Sequence, residues 1–333
     1  MDSNHLPKAM NSGKTLKRVA ILDAFTANAY RGNPAAVVLS EEPLEEAERR
    51  NLAKELNQPA IAFVSHPLIN SESFATSTLS SPPLIRWHTS TGGMLPLCGH
   101  ATMAASCYLL DGHIFPRFGE IRYQFLLPTL DEEGAKSETA YELVASRSED
   151  GRIEVTLPAS FKAQPVPIEA RDAIFKTLKA ATGLESSEVE EMCLSPSNEP
   201  SRYNLTILLS RSVDLGALEV DSPSFLAIPY RGIYLTNLSP PSATIHYRCR
   251  VFFPSVGILE DHVCGSANTF LGPYYIERQS KTDSPLPEVV DVHQVSPRGG
   301  LFALKWNGKW GEEGGLVALR GSARLIMQGH LQA

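Results

Sequence analysis

The segment from Leu95 to Gly112, LPLCGHATMAASCYLLDG, constrains the fold more than any other part of the chain. It starts extended, then becomes a helix that is small and apolar nearly all round, and closes on a glycine. A helix without a polar face must be surrounded by protein. The expectation is therefore a central helix wrapped by sheet. Cys264 to Leu271, CGSANTFL, opens a second small-residue helix, after a strand at Arg250–Pro254 and a loop at Gly257–Val263. The two Cys-Gly steps lie 166 residues apart in a chain of 333, so an internal duplication is the economical reading.

The flanking pattern supplies the sheet. Val19–Phe25 and Ala35–Leu39 are apolar runs of strand length, punctuated by a Gly32-Asn33-Pro34 turn. Glu41–Leu56 has helical spacing, and Ile61–Val64 and Ile85–His88 read as strands. Ser71–Pro83, rich in Ser, Thr and Pro, reads as a loop, and Trp306–Gly315 as a hairpin turn. The Pro-rich stretch Leu157–Pro167 suggests a linker near 150–165, and Ser195–Pro200 an exposed excursion. These divide the chain into an N-terminal lobe (18–150) and a C-terminal lobe (151–333), after a flexible extension (1–17).

Charge and cysteine content narrow the function classes. A net charge of −7 argues against a nucleic-acid or anionic-membrane footprint. No apolar run reaches the roughly 18 residues of a membrane span. The first 17 residues lack the apolar core of a signal peptide. Five cysteines without a CxxC pair make neither a disulfide framework nor a structural zinc site. A soluble, cytoplasmic protein with reduced thiols, no metal and a small-molecule substrate is the expectation.

Each Cys-Gly step opens an apolar helix, where unpartnered backbone N–H groups and the positive end of the helix dipole collect. A thiol there is expected to have a lowered pKa. The same N–H groups suit a carboxylate or enolate oxygen. If the halves face each other, Cys98 and Cys264 can work on opposite faces of one carbon. One removes a proton while the other delivers one, which is racemisation or epimerisation without a cofactor. The bland reading makes both cysteines core fillers. His100 is a candidate proton carrier beside Cys98. Asp261 reads equally as a group that orients substrate and as a helix cap. Asn33 is either a ligand contact or only a turn residue. His88, His246 and His262 read as surface or satisfied core histidines.

These segments resemble the phenazine-biosynthesis-protein-like isomerase family of the diaminopimelate epimerase superfold. The likeness rests on Asp23-Ala24-Phe25-Thr26 with Gly32-Asn33-Pro34-Ala35-Ala36-Val37-Val38, and on Arg86-Trp87. It extends through Cys98-Gly99-His100-Ala101-Thr102 to Phe253-Pro254 with Gly257-Ile258, Glu260-Asp261 and Gly265-Ser266-Ala267. The resemblance implies an α+β fold of two pseudo-symmetric lobes, each a barrel-like, mostly antiparallel sheet around a central helix. It further implies a site in the inter-lobe cleft, homodimers and no cofactor. Asn33, Thr89, Gly99, Gly265 and Ser266 are expected to contact the substrate.

Two departures from the family stand out. Its usual proton-moving acid falls at Ala60, and a second acidic position at Met94. Its usual Thr before Gly265 is Cys264, so a Cys-Gly pair stands in both lobes, as in diaminopimelate epimerase and proline racemase. The Arg that holds the substrate carboxylate in diaminopimelate epimerases corresponds here to Val256. The leading expectation is a cofactor-independent epimerase or racemase acting beside a carbonyl through Cys98 and Cys264. The alternatives are a double-bond isomerase or cyclase using His100 and Asp261, and a non-catalytic small-molecule-binding protein.

Overall fold

The computed structural model describes residues 17–71, 81–110, 119–130, 136–159, 162–196, 203–241, 243–308 and 315–332. The extension before Lys17, the centre of the Ser71–Pro83 loop, Gly112, most of Ser195–Pro200 and the tip of Trp306–Gly315 lie outside them.

The first half begins with an antiparallel pair, β1 (Lys17–Ala24) and β2 (Asn33–Ser40). Helix α1 (Glu46–Leu56) then crosses to β3 (Ala60–Ser65), parallel to β2. The helix starts later than the sequence suggests. The Ser40 hydroxyl donates to the Glu42 carbonyl and the Arg49 guanidinium to that of Leu44, so residues 41–45 form a turn. Strand β4 (Leu84–Thr89) pairs antiparallel with β3, and β5 (Met94–Leu95) folds back on β4. Helix α2 (Gly99–Leu110) follows, then β6 (Glu120–Leu130), β7 (Lys136–Arg147) and β8 (Ile153–Pro158). Strand β6 runs parallel to β4, and β6, β7 and β8 are antiparallel neighbours.

The second half repeats this order. After β9 (Gln164–Pro165) and α3 (Ile168–Thr182) come the antiparallel β10 (Val189–Pro196) and β11 (Tyr203–Leu209). Strand β12 (Gly232–Leu238) runs parallel to β11, and β13 (Tyr247–Phe253) antiparallel to β12. The segment expected as a loop contains a strand, β14 (Ile258–Asp261), that returns on β13 as β5 does on β4. Helix α4 (Gly265–Gln279) leads to β15 (Val289–Gln294), parallel to β13, then to β16 (Gly300–Asn307) and β17 (Leu316–Gly321).

The halves meet where β8 pairs antiparallel with β17, Leu157 opposite Val317. Each half also receives the strand that trails from the other. Strand β9 pairs with β10, and the last strand, β18 (Ala323–Leu331), pairs with β1. The proposed linker therefore contributes residues to both β8 and β9.

Every residue of α2 is buried. The helix packs against β1, β2, β3, β6, β7, β8 and β18, the surroundings that its composition demanded. Small residues permit the approach of the strands. In α4, a Cβ built on Gly272 would come within 2.5 Å of Leu304. No described helix is long and apolar enough to cross a membrane.

Candidate active site

The N-termini of α2 and α4 touch. A Cβ on Gly99 would lie 3.3 Å from the Gly265 Cα, and one on Gly265 3.3 Å from the Gly99 Cα. Beneath them at the junction of the halves, Leu157 of β8 packs against Gly99 and Leu319 of β17 against Gly265. The duplication thus brings the glycines that follow Cys98 and Cys264 into contact.

Asp261 is the centre of the arrangement. The Asn33 amide nitrogen donates to its Oδ1 at 2.7 Å and to the Val263 carbonyl at 2.9 Å, holding the strand-to-helix turn. The Cys264 thiol is a second hydrogen-bond partner of the Asp261 carboxyl. Gln294 fixes the turn from behind. Its Oε1 accepts from the Cys264 N–H at 2.8 Å, and its amide donates to the Asp261 carbonyl at 2.5 Å. The Asn268 amide donates to the Cys264 carbonyl at 2.8 Å. On the other helix, Thr102 donates both its N–H and its hydroxyl to the Cys98 carbonyl. The Cys98 sulfur lies 3.5 Å from His100 Nδ1, and the Cys264 sulfur 3.4 Å from the Ser266 hydroxyl.

Both thiols are buried: Cys98 is 6% exposed and Cys264 3%. This reverses the expected direction of the thiol pKa. Burial pushes Cys98 up to about 12. The Ala101 and His100 N–H groups at the helix start oppose it only in part, and the Asp261 charge adds to it. Burial and the same carboxylate hold Cys264 well above the usual thiol range. Burial raises Asp261 too, against the hydrogen bonds from Cys264 and Asn33. Burial, with the neighbouring His262, lowers His100 to about 3. At neutral pH the resting site therefore holds two thiols and a neutral imidazole. Iodoacetamide should accordingly label Cys98 and Cys264 slowly at pH 8, with rates still rising towards pH 10, as peptide mass spectrometry over a pH series will show. A labelling plateau below pH 8.5 would contradict this electrostatic picture.

The remaining expected residues separate. Gly99, Gly265 and Ser266 lie at the junction. Thr89 instead binds within the turn after β4, its hydroxyl to Thr91 and to the Gly93 N–H. Ala60 starts β3, fully buried between Ala35 and Thr89, so its methyl group occupies the family's acidic position. Met94 and Val256 are exposed. Among the histidines, His246 accepts from the Asp291 N–H and His88 pairs with Glu46. His262 differs from both. Its ring neighbours His100, and both His262 Nδ1 and His100 Nε2 are buried without a partner among the described residues. Gln294 and Asn268 carry no motif, because only the folded chain brings them to residues 261–264.

Replacing Asn33 by Ala removes both donors to this turn and leaves buried acceptors unmet. The expected loss of stability is roughly 1–3 kcal/mol, read from urea midpoints. No change in midpoint would reduce Asn33 to a turn residue.

Comparison with known proteins fits this architecture. The family model described as phenazine biosynthesis-like protein matches residues 22–329. A human phenazine biosynthesis-like domain-containing protein is 31% identical over 324 residues, covering 95% of this chain and 99% of that one. An uncharacterized isomerase of Halalkalibacterium halodurans is 28% identical, over 86% and 90% of the two chains. Among solved structures, a PhzF-family protein of Enterococcus faecalis superposes with a TM-score of 0.70 at 24% identity, covering 96% and 100%. A hydroxyproline epimerase of Agrobacterium vitis, with bound trans-4-hydroxy-L-proline, gives 0.53 at 10%, covering 96% and 93%. These likenesses establish the diaminopimelate epimerase-like fold of two pseudo-symmetric lobes. With the family model spanning nearly all of the sequence, the chain belongs to the phenazine biosynthesis-like protein family.

Proposed function

We propose that the protein is an isomerase of the epimerase or racemase kind, moving a proton at a carbon beside a carbonyl between Cys98 and Cys264. The observation that carries this reading is that one half-buried carboxyl, Asp261, acts electrostatically on both thiols at the contact of the two helix starts. Relatives bearing the words isomerase and epimerase support the class of reaction.

The proton inventory makes the chemistry concrete. A two-base inversion needs one thiolate and one thiol. The Cys264 thiol neighbours the Asp261 carboxyl, and transfer of its proton to the carboxylate leaves a thiolate without a change in total charge. The Cys264 thiolate takes the substrate proton while the Cys98 thiol gives its own to the opposite face. The product state has Cys264 and Asp261 protonated and Cys98 ionised, and the proton held on Asp261 is the one that restores the Cys98 thiol, leaving the total charge unchanged. Backbone N–H groups at the helix starts face the carbonyl oxygen as it gains charge. The lobes must part to admit substrate and close again to exclude water.

The test is incubation in D2O with a panel of amino acids, cyclic imino acids and their amides. Deuterium entering a single α-position, with inversion, is the expected result. Exchange undiminished in a Cys98→Ala/Cys264→Ala double variant would overturn the thiol assignment.

A further inference from the structure

A cavity of about 640 Å³ has neither cysteine of the pair in its lining, and the proposed chemistry leaves it unused. It opens between the turn after β1, the turn before β16 and the end of β17. Its volume is that of a small-molecule site. One wall separates it from the thiol loop: a Cβ on the lining residue Gly300 would come within 2.4 Å of Val263.

Its lining is electrostatically one-sided. Arg31, Arg152, His293 and Arg298 face it, and no described Asp or Glu does. Arg298 is neutralised by the buried Asp23 at 2.7 Å, and Arg152 by Asp150 at 2.6 Å. Arg31 has no ion pair among the described residues and gives only one N–H, at 3.3 Å, to the Pro297 carbonyl. Asp150 is itself shared with Arg320 at 3.9 Å, so the surplus charge is positive. Phe25 and Leu301 supply an apolar wall.

The two arginines also clasp the halves of the chain. Arg31 reaches the Pro297 carbonyl, while Arg298 donates to the carbonyls of Arg31 and Gly32. The backbone around the cavity is held in uncommon conformations, with φ of 63° at Phe25 and 65° at Gly299. Left-handed geometry at a bulky buried residue persists only where its surroundings impose it, and such positions gather at ligand clamps.

We propose that this cavity binds a small organic anion, a carboxylate or phosphate ester on an apolar body, with Arg31 as its main charge partner and Arg152 as its second. The site is separate from the thiol pair and independent of the chemistry there.

Calorimetric titration of the full chain with phenyl phosphate, benzoate and phenol tests it. Saturable binding of at least one anion, and none of phenol, is expected; the tighter anion names the headgroup. Arg31→Gln should weaken that binding at least tenfold, as loss of a charge-assisted bond does. Arg152→Gln should weaken it less, and circular dichroism should show both variants folded. Binding should persist in the Cys98→Ala/Cys264→Ala variant. Absence of saturable anion binding, equal binding by both arginine variants and the parent, or loss of binding with the cysteines would each overturn the proposal.

Discussion

Cys264→Ser is expected to reduce the rate of α-proton exchange by two to four orders of magnitude, while leaving the fold intact. General acid–base groups in position contribute about 10²–10⁴-fold, or roughly 3–5 kcal/mol of barrier. Serine keeps the size and the hydrogen bond to Asp261, but its hydroxyl ionises far less readily than a thiol. The carboxyl cannot draw that proton off, and the base on one face of the substrate is lost. The companion variant sharpens the test, because the two thiols serve opposite faces. Cys98→Ser should block inversion in the same way. It should still permit the substrate enantiomer that faces Cys264 to exchange its proton for solvent deuterium with retention. A structural role for either cysteine would lower inversion and exchange together. Retention of more than about a tenth of the parental rate in Cys264→Ser, a deficit of only ~1.4 kcal/mol, would end the two-thiol reading.

The legible part of this molecule is the part fixed by local composition. The all-apolar stretch Gly99–Leu110 could only be an enclosed helix, and its counterpart at Gly265 exposed the duplication. What escaped depends on contacts between distant residues. The exchange of β9 and β18 between the halves leaves no local mark, since a trailing strand reads alike whichever sheet receives it. Gln294 and Asn268 are ordinary polar residues until the chain folds them onto residues 261–264. The thiol pKa values went the opposite way from expectation for a physical reason. A helix N-terminus favours a thiolate by its dipole and N–H groups, but burial removes the water that would solvate the charge. Nearly complete burial of the thiols beside the Asp261 carboxylate is the larger effect. His262 was discounted for the same reason, because its neighbour His100 comes from the other lobe.

Gly32→Ala should be among the most destabilising single-methyl additions in the chain. Gly32 has φ of 65°, and a Cβ there would stand 2.1 Å from the Ala24 carbonyl oxygen and 2.7 Å from the Thr26 methyl. The first obstacle is backbone of β1, which cannot swing aside as a side chain can. Left-handed geometry costs a non-glycine residue about 1–2 kcal/mol, and a forced backbone shift in a packed region about 1–3 more. The shift must also disturb the links from Gly32 to the second half, its N–H to the Gly299 carbonyl at 2.8 Å and its carbonyl from Arg298 at 2.8 Å. The expected total is about 3 kcal/mol or more, with a loss of activity because Asn33, the support of Asp261, is the next residue. Gly257→Ala is the internal control, since Gly257 has φ of 82° with nothing within 4 Å of a Cβ. It carries the conformational cost without the collision. Urea midpoints at equal slope should therefore separate the two variants by at least ~1 kcal/mol, the lower end of the collision cost. Equal losses would mean that the turn relaxes around the methyl, and that the tie between the first strand pair and the 296–299 turn is softer than its hydrogen bonds indicate.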